Sequence, residues 1–328
     1  MWAAMENHPD AIRVLLQHGA EIEARSTVTQ PSGRGRGGNS PTGGLTPLLF
    51  AVREGALDAV RVLVETGASV NEPAADRTSA LATAILNAHY DVARYLLDHG
   101  ADPNLVNSIG AGPLYLAVNM RNLEISARPS PPGLSREESL EMIKLLLAKG
   151  ANPNARLTRD FPPRGGFEFS WASLAGATPY MRAAKSSDLT TMKLLVEHGG
   201  DPNIATDANT TPLMLVAGVG WIDLQSNSDL KESLQGLDFC LSHGADVNAV
   251  NREGQTAVHG AAIRGKAEII QYLADHGARL DVKDKLDRTP LTYAEGVHIS
   301  AGSPERQEAA VEILTRLLSA RERASAAR

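Results

Sequence analysis

A single cysteine, Cys240, stands in 328 residues, so no disulfide can close within the chain and no cysteine-built zinc site can be assembled from it. That fits a reducing compartment without requiring one. No apolar run reaches the roughly 18 residues that a membrane-spanning helix needs, and Met1-Trp2-Ala3-Ala4-Met5-Glu6-Asn7-His8 lacks the layout of a signal peptide. The expectation is a soluble chain with no membrane span, cytoplasmic by default and exported if an upstream signal has been lost. Neither charge sign dominates: the net charge is -6, the pI is near 5.9, and the basic residues are scattered among acidic ones, which speaks against nucleic acid as a partner. Gly-x-Ser-x-Gly, His-Glu-x-x-His, a Walker loop and a dinucleotide fingerprint are all missing. No residue is therefore assigned a catalytic or metal-binding role, and no cofactor is expected.

What the chain has instead is recurrence. Asp98-His99-Gly100-Ala101-Asp102-Pro103-Asn104 has close copies ending in Gly19-Ala20, Gly67-Ala68, Gly150-Ala151, Gly199-Gly200, Gly244-Ala245 and Gly277-Ala278. Each glycine follows an amphipathic run such as Val92-Ala93-Arg94-Tyr95-Leu96-Leu97 and can adopt the left-handed conformation that ends a helix. A second signal precedes each run: Thr46-Pro47-Leu48, Ser79-Ala80-Leu81, Gly112-Pro113-Leu114, Thr178-Pro179-Tyr180, Thr211-Pro212-Leu213, Thr256-Ala257-Val258 and Thr289-Pro290-Leu291. Threonine or serine caps a helix and proline opens its first turn. The proline slots at 47, 80, 113, 179, 212, 257 and 290 are separated by 33, 33, 66, 33, 45 and 33 residues, which establishes a period of 33.

Thr256-Ala257-Val258-His259 and Gly244-Ala245-Asp246-Val247-Asn248 resemble the Thr-Pro-Leu-His and Gly-Ala-Asp-Val-Asn signatures of the ankyrin repeat. The resemblance extends over the chain outside four insertions and the last residues. It implies an all-α solenoid of stacked helix pairs with projecting β-hairpins, and a role in binding other proteins. The Ala- and Arg-rich helices and the insertions look like the long bacterial arrays of this family.

The array reads as one domain over 1–328. A partial repeat at 1–25 is followed by an insertion at 26–43 and repeats at 44–76, 77–109 and 110–160, the last with an internal insertion. A hairpin insertion at 161–176 leads to repeats at 177–209, 210–254 with an internal insertion, and 255–287. A capping unit at 288–320, with a last helix from Pro304 to Ala320, and a polar tail at 321–328 close the chain. Counting 20 residues back from Gly19 puts the first proline slot before Met1, so the first helix lacks its cap and leaves an apolar end. Upstream repeats, a partner at this N-terminal end, or a truncated gene would account for it.

Spacing errors locate the insertions: excesses of 15, 17, 16 and 12 residues between Gly19 and Pro47, Pro113 and Gly150, Gly150 and Pro179, and Pro212 and Gly244. Two fall in hairpin segments and two between paired helices, so they are expected to decorate different edges instead of building one feature. The third, Phe161 to Trp171, is aromatic in a chain with only 4% aromatics. Phe167, Phe169 and Trp171 alternate, which would put them on one face of a strand, with Glu168 on the other and solvated. They form either a packing face or, together with Phe161, a platform for a partner. Trp221 opens the fourth insertion, followed by a helix over Leu230 to Leu241.

Five histidines, His18, His99, His198, His243 and His276, directly precede terminator glycines. One per repeat, they stand about a helix spacing, roughly 10 Å, apart and cannot share a metal ion; a role at the helix C-terminus follows. Cys240, four before its glycine, reads as a small core residue. In ankyrin-like stacks the positions six and seven after the proline slot face the groove, which gives Arg53, Glu54, Leu86, Asn87, Asn119, Met120, Lys185, Ser186, Val219 and Arg264 as candidate binding residues beside the aromatic set and Trp221. The expected function is a non-catalytic protein-binding scaffold using this face and the aromatic insertion. The alternative is an enzyme or small-ligand receptor whose pocket is closed by the insertions at 161–171 and 221–229.

Overall fold

The structure, a computed structural model, describes residues 1–30, 40–123, 131–160, 171–221, 228–297 and 305–326. The chain divides into two compact units, the first made of Met1–Leu123 and Arg128–Thr158 and the second running from Arg159 to Arg328. The division falls where the third insertion begins.

In unit 1 the helices are α1 (Trp2–Met5), α2 (Pro9–Gln17), α3 (Pro47–Glu54), α4 (Leu57–Glu65), α5 (Ala80–Leu86), α6 (Tyr90–Asp98), α7 (Pro113–Arg121) and α8 (Arg136–Ala148). The odd-numbered helices pack in sequence as an inner row and the even-numbered ones as an outer row. Unit 2 repeats the plan with α9 (Pro179–Lys185), α10 (Leu189–Glu197), α11 (Pro212–Ala217), α12 (Leu230–Ser242), α13 (Ala257–Ile263), α14 (Ala267–Asp275), α15 (Pro290–Ala294) and α16 (Glu308–Ala326). Small residues such as Ala51, Ala84, Ala117, Ala183, Ala217 and Ala261 are buried along the inner rows, where they let successive helices approach closely. Leucines fill the space between rows, among them Leu63, Leu96, Leu146, Leu195 and Leu273; each such side chain contributes roughly 1.5–3 kcal/mol when fully buried.

The helix boundaries follow from local chemistry. Thr46, Thr178, Thr211 and Thr289 each accept a hydrogen bond from the backbone N–H three residues on, at 3.3 Å, and Ser79 does so at 3.2 Å. Each satisfies one of the donors that a helix start leaves without an intrahelical partner. At the other ends the seven terminator glycines have φ between +83° and +102°, and the residue after Gly100 closes the turn, Ala101 N–H reaching Leu96 C=O at 2.9 Å. A side chain in that conformation would be strained, so glycine is required there. Ser135 and Asp229 cap α8 and α12, which follow the second and fourth insertions.

Two features differ from expectation. The segments between repeats are tight turns instead of strand-forming hairpins, and among the described residues the one β-bridge joins Thr29 and Thr42. Each turn closes on itself, as Asn251 N–H does on Gln255 C=O, and donates one backbone bond to its neighbour, as Arg252 N–H does to Ala208 C=O. A single bond per neighbour builds no ladder. Asparagines add cohesion: Asn71, Asn104, Asn203 and Asn248 donate to backbone carbonyls at the helix end of the following repeat. The last helix begins at Glu308 and runs through Ala326, so most of the expected polar tail is helical. Ala, Arg and Glu favour helix, and Arg321 anchors the segment by donating to Ala278 C=O at 2.9 Å.

Candidate functional site

The site in unit 2 grows from an early helix end. α11 stops after six residues because Gly218 and Gly220, with φ of +129° and +82°, turn the chain out of the helix. Stopping there leaves the Val216 carbonyl without an intrahelical donor. Arg264, just past α13, fills that role: Nη1 donates to Val216 C=O at 3.0 Å and to Ser233 Oγ at 3.2 Å, and Nη2 donates to Ser228 Oγ at 3.4 Å. The side chain can cross because the backbones meet at two glycines. A Cβ on Gly218 would lie 2.4 Å from Arg264 Cδ and 2.6 Å from Gly260 C=O, and one on Gly260 would lie 2.4 Å from Val219 N.

The guanidinium then lies over the Trp221 ring, 3.9 Å from its centroid. Such a contact is worth about 0.5–2 kcal/mol and more as water is excluded. Trp221 in turn receives Trp171, whose Nε1–H donates to the Trp221 carbonyl at 2.8 Å. The residue closing the third insertion therefore meets the residue opening the fourth. The other end of the third insertion is tied down by Asp160, whose carboxylate accepts from Ser173 Oγ at 3.0 Å and from the backbone N–H groups of Leu174 and Ala175. Asp160 is thus the clasp at the base of the insertion. The expectation that the insertions stay on separate edges does not hold for these two. Spacing along the chain does not reveal this encounter.

The positions expected to line a binding face separate by burial. Arg53 and Glu54 on α3 are exposed, ion-paired at 2.9 Å, and Arg53 lies 5.0 Å from the Phe50 ring centroid. Leu86, Asn87 and Asn119 are half-buried. Met120, Lys185, Ser186, Val219 and Arg264 are buried, so they are not surface residues: Met120 lies in the core, Val219 is closed under the α13 backbone, and Arg264 is spent on the helix end just described. Arg182, one turn before Ser186, is buried as well and donates to Ser186 Oγ at 2.9 Å. Trp171 and Trp221 are half-buried. Phe161, Phe167, Phe169 and Glu168 lie outside the described residues. Sequence reading missed the clamp role of Arg264, although the paired glycines at 218 and 260 were the available signal. It also missed two grooves of about 430 and 450 Å³ on the outer row, which share Leu234 and Tyr272.

The repeated histidines act at helix ends. Nδ1–H of His18, His99, His198, His243 and His276 donates to the carbonyl four residues earlier, at 2.7–2.9 Å. His99 and His276 also stack on Tyr95 and Tyr272, with ring centroids 3.9 and 4.2 Å apart. His259 is different, being fully buried. Its Nδ1 accepts from Thr256 N–H at 3.0 Å and its Nε2–H donates to Arg288 C=O at 3.3 Å, and burial pushes its pKa down to about 4. The Cys240 thiol is pushed up to about 12 by burial, which keeps it protonated and unreactive.

The helix pairs, the capped starts and the glycine stops define a repeat protein of the ankyrin class. Sequence profiles described as ankyrin repeats match residues 1–107, 228–305 and 175–207, and the chain belongs to the ankyrin repeat family. Among curated relatives it is 27% identical over 259 residues to the ankyrin repeat and KH domain-containing protein mask-1 of Caenorhabditis elegans, covering 68% of this chain and 9% of that protein. It is 27% identical over 248 residues to human ankyrin repeat and SOCS box protein 16, covering 76% of this chain and 47% of that one. Human transient receptor potential cation channel subfamily A member 1 is 23% identical over 282 residues, with 76% and 25% covered. The chain thus spans less than half the length of each of these. The ankyrin repeat domain of human ASB11 has the same fold, with a TM-score of 0.55 at 22% identity, covering 82% of this chain and 98% of that one.

Proposed function

We propose that this chain is a non-catalytic scaffold that binds another protein through the open inner-row positions of unit 1, with Trp171 and Trp221 offering a second contact on unit 2. Ankyrin repeats are protein–protein interaction modules. The observation carrying the assignment is the Arg53–Glu54 pair, exposed on a rigid helix and backed by Phe50, with half-buried Leu86, Asn87 and Asn119 on the next two inner helices. Charged groups held in place by a packed scaffold bind with little ordering cost and select a partner by electrostatic fit.

The test is site-specific photo-crosslinking in native extract, with the reactive group at position 54 or, as control, at Arg94 on the outer row. A discrete product from position 54 that disappears with Asn87→Arg supports the reading. Equal products from both positions, or none, would count against it. The second reading, a small-ligand site framed by the third and fourth insertions, is favoured by the Trp171–Trp221 contact. It predicts a saturable change in tryptophan fluorescence in a metabolite screen, lost with Trp171→Phe and Trp221→Phe together.

A further inference from the structure

Tyr95 on α6 and Tyr272 on α14 hold the same position of the repeat, five before the terminator glycine, and can be compared like for like. Both are half-buried, and each stacks on the histidine four residues on, His99 or His276. They differ in what the preceding outer helix sets beside them. Six before its own glycine, α4 carries Arg61 and α12 carries Asp238. The Arg61 guanidinium lies over the Tyr95 ring, 6.0 Å from its centroid, and is held by Asp58 at 3.4 Å. Asp238 instead accepts a hydrogen bond from Tyr272 Oη at 3.2 Å, and among the described residues no cation lies over the Tyr272 ring. The same slot is basic on the other earlier outer helices, as Arg13, Arg94, Lys144 and Lys193, and changes to Asp238 and Gln271 on α12 and α14.

The two outer-row grooves of about 430 and 450 Å³ meet at this point, because Tyr272 and Leu234 line both. Asp238 lines the first, and Glu268 and Asp275 line the second; all three carboxylates are exposed. Two cations line the grooves as well. Arg316 is engaged, donating to Gln271 Oε1 at 2.9 Å, and Lys193 stands on α10. We propose that Tyr272, Asp238 and Glu268 take an arginine side chain of a partner protein, with its guanidinium over the Tyr272 ring as Arg61 lies over Tyr95. The aromatic ring attracts a cation, and the carboxylates supply the opposite charge. A planar guanidinium can lie on the ring and donate to a carboxylate at once, which an ammonium cannot do. Leu234, common to both grooves, offers apolar surface to the aliphatic stem. This site is on the outer row of unit 2 and stands apart from the inner-row face of unit 1, so either can fail without the other.

The test is an NMR titration of the whole 328-residue chain with isotope-labelled tyrosine rings, each resonance assigned through its Tyr→Phe variant. The probe is N-acetyl-leucyl-arginine amide, and its citrulline counterpart, similar in shape but uncharged, is the control. The arginine peptide shifts the Tyr272 ring signals saturably in the millimolar range, the citrulline peptide leaves them in place, and Tyr95, already under Arg61, does not respond. Asp238→Arg, which gives α12 the charge that α4 has, weakens the response about tenfold or more. Glu268→Gln, at an exposed side chain with no fold contact to lose, weakens it as well and serves if Asp238→Arg disturbs the helix. A Tyr272 ring that ignores the arginine peptide, an equal response to citrulline, an equal shift at Tyr95, or binding indifferent to both substitutions overturns the proposal.

Discussion

The same two positions of the repeat, six and seven after the proline slot, are open on α3 of unit 1, half-buried or buried on α5 and α7, and closed in the first three inner helices of unit 2. On α3 of unit 1 they are Arg53 and Glu54, exposed and paired to each other; in unit 2 they are Lys185 and Ser186, Gly218 and Val219, and Ile263 and Arg264, buried except for the half-buried Ile263. Repeat position therefore does not fix exposure. In unit 2 the early stop of α11 creates an unsatisfied carbonyl, Arg264 is drawn inward to satisfy it, and Trp221 and then Trp171 are organised on top. A charge that would recognise a partner in one unit is part of the internal hydrogen bonding of the other.

Removing the clamp is the strongest way to break this contrast. Arg264→Ala leaves the Val216 carbonyl without its side-chain donor, removes the bonds to Ser233 and Ser228 and takes away the Trp221 contact, and should destabilise unit 2 by about 3–5 kcal/mol. Arg53→Ala in unit 1 should change stability by less than about 0.5 kcal/mol. Denaturant unfolding followed by circular dichroism separates them, and equal effects would abolish the distinction. Arg264→Lys should not rescue, because an ammonium cannot serve three acceptors in a plane while stacking on a ring.

Acid should act on unit 2 next. His259 is depressed in the folded state, so the unfolded chain takes up the proton first. Stability falls as pH drops from about 6.5 to about 4, by roughly 3 kcal/mol in all, with the folded value near 4. His259→Gln should flatten that part of the profile. Burial pushes the Asp284 carboxyl up, but hydrogen bonds from the Arg288 side chain and backbone and from Tyr293 outweigh it and hold it at about 2. Its contribution is therefore present above the ordinary carboxylate range and is lost as pH falls through about 2. Hydrogen exchange across this pH range should show protection lost around His259 in unit 2 as the pH falls.

A smaller effect sharpens the same point. Gly218→Ala places a Cβ against Gly260 C=O and forces alanine to a positive φ, at a cost of roughly 1–3 kcal/mol. Gly67→Ala in unit 1 meets no atom within 4 Å and should cost only its φ strain, roughly 1 kcal/mol. Thermal unfolding of the two variants compares them directly.

How much could be read beforehand depended on range. The caps at Thr46 and Thr178, the helix after Asp229, the place of the repeated histidines at helix ends and the core position of Cys240 all involve residues within one turn or a repeated packing environment. Each was legible. The encounter of Trp171 with Trp221, the reach of Arg264 to Val216 and the clasp made by Asp160 join residues 13 to 50 positions apart, and no local pattern encodes them.

The sequence by itself determined the ankyrin class, the 33-residue period and the ends of its helices, because φ, ψ and capping are decided by neighbours three or four residues away. Which faces of that stack are open was decided only by the tertiary structure. Two glycines let α11 and α13 touch, one arginine crossed between them, and positions that are open on α3 became interior there.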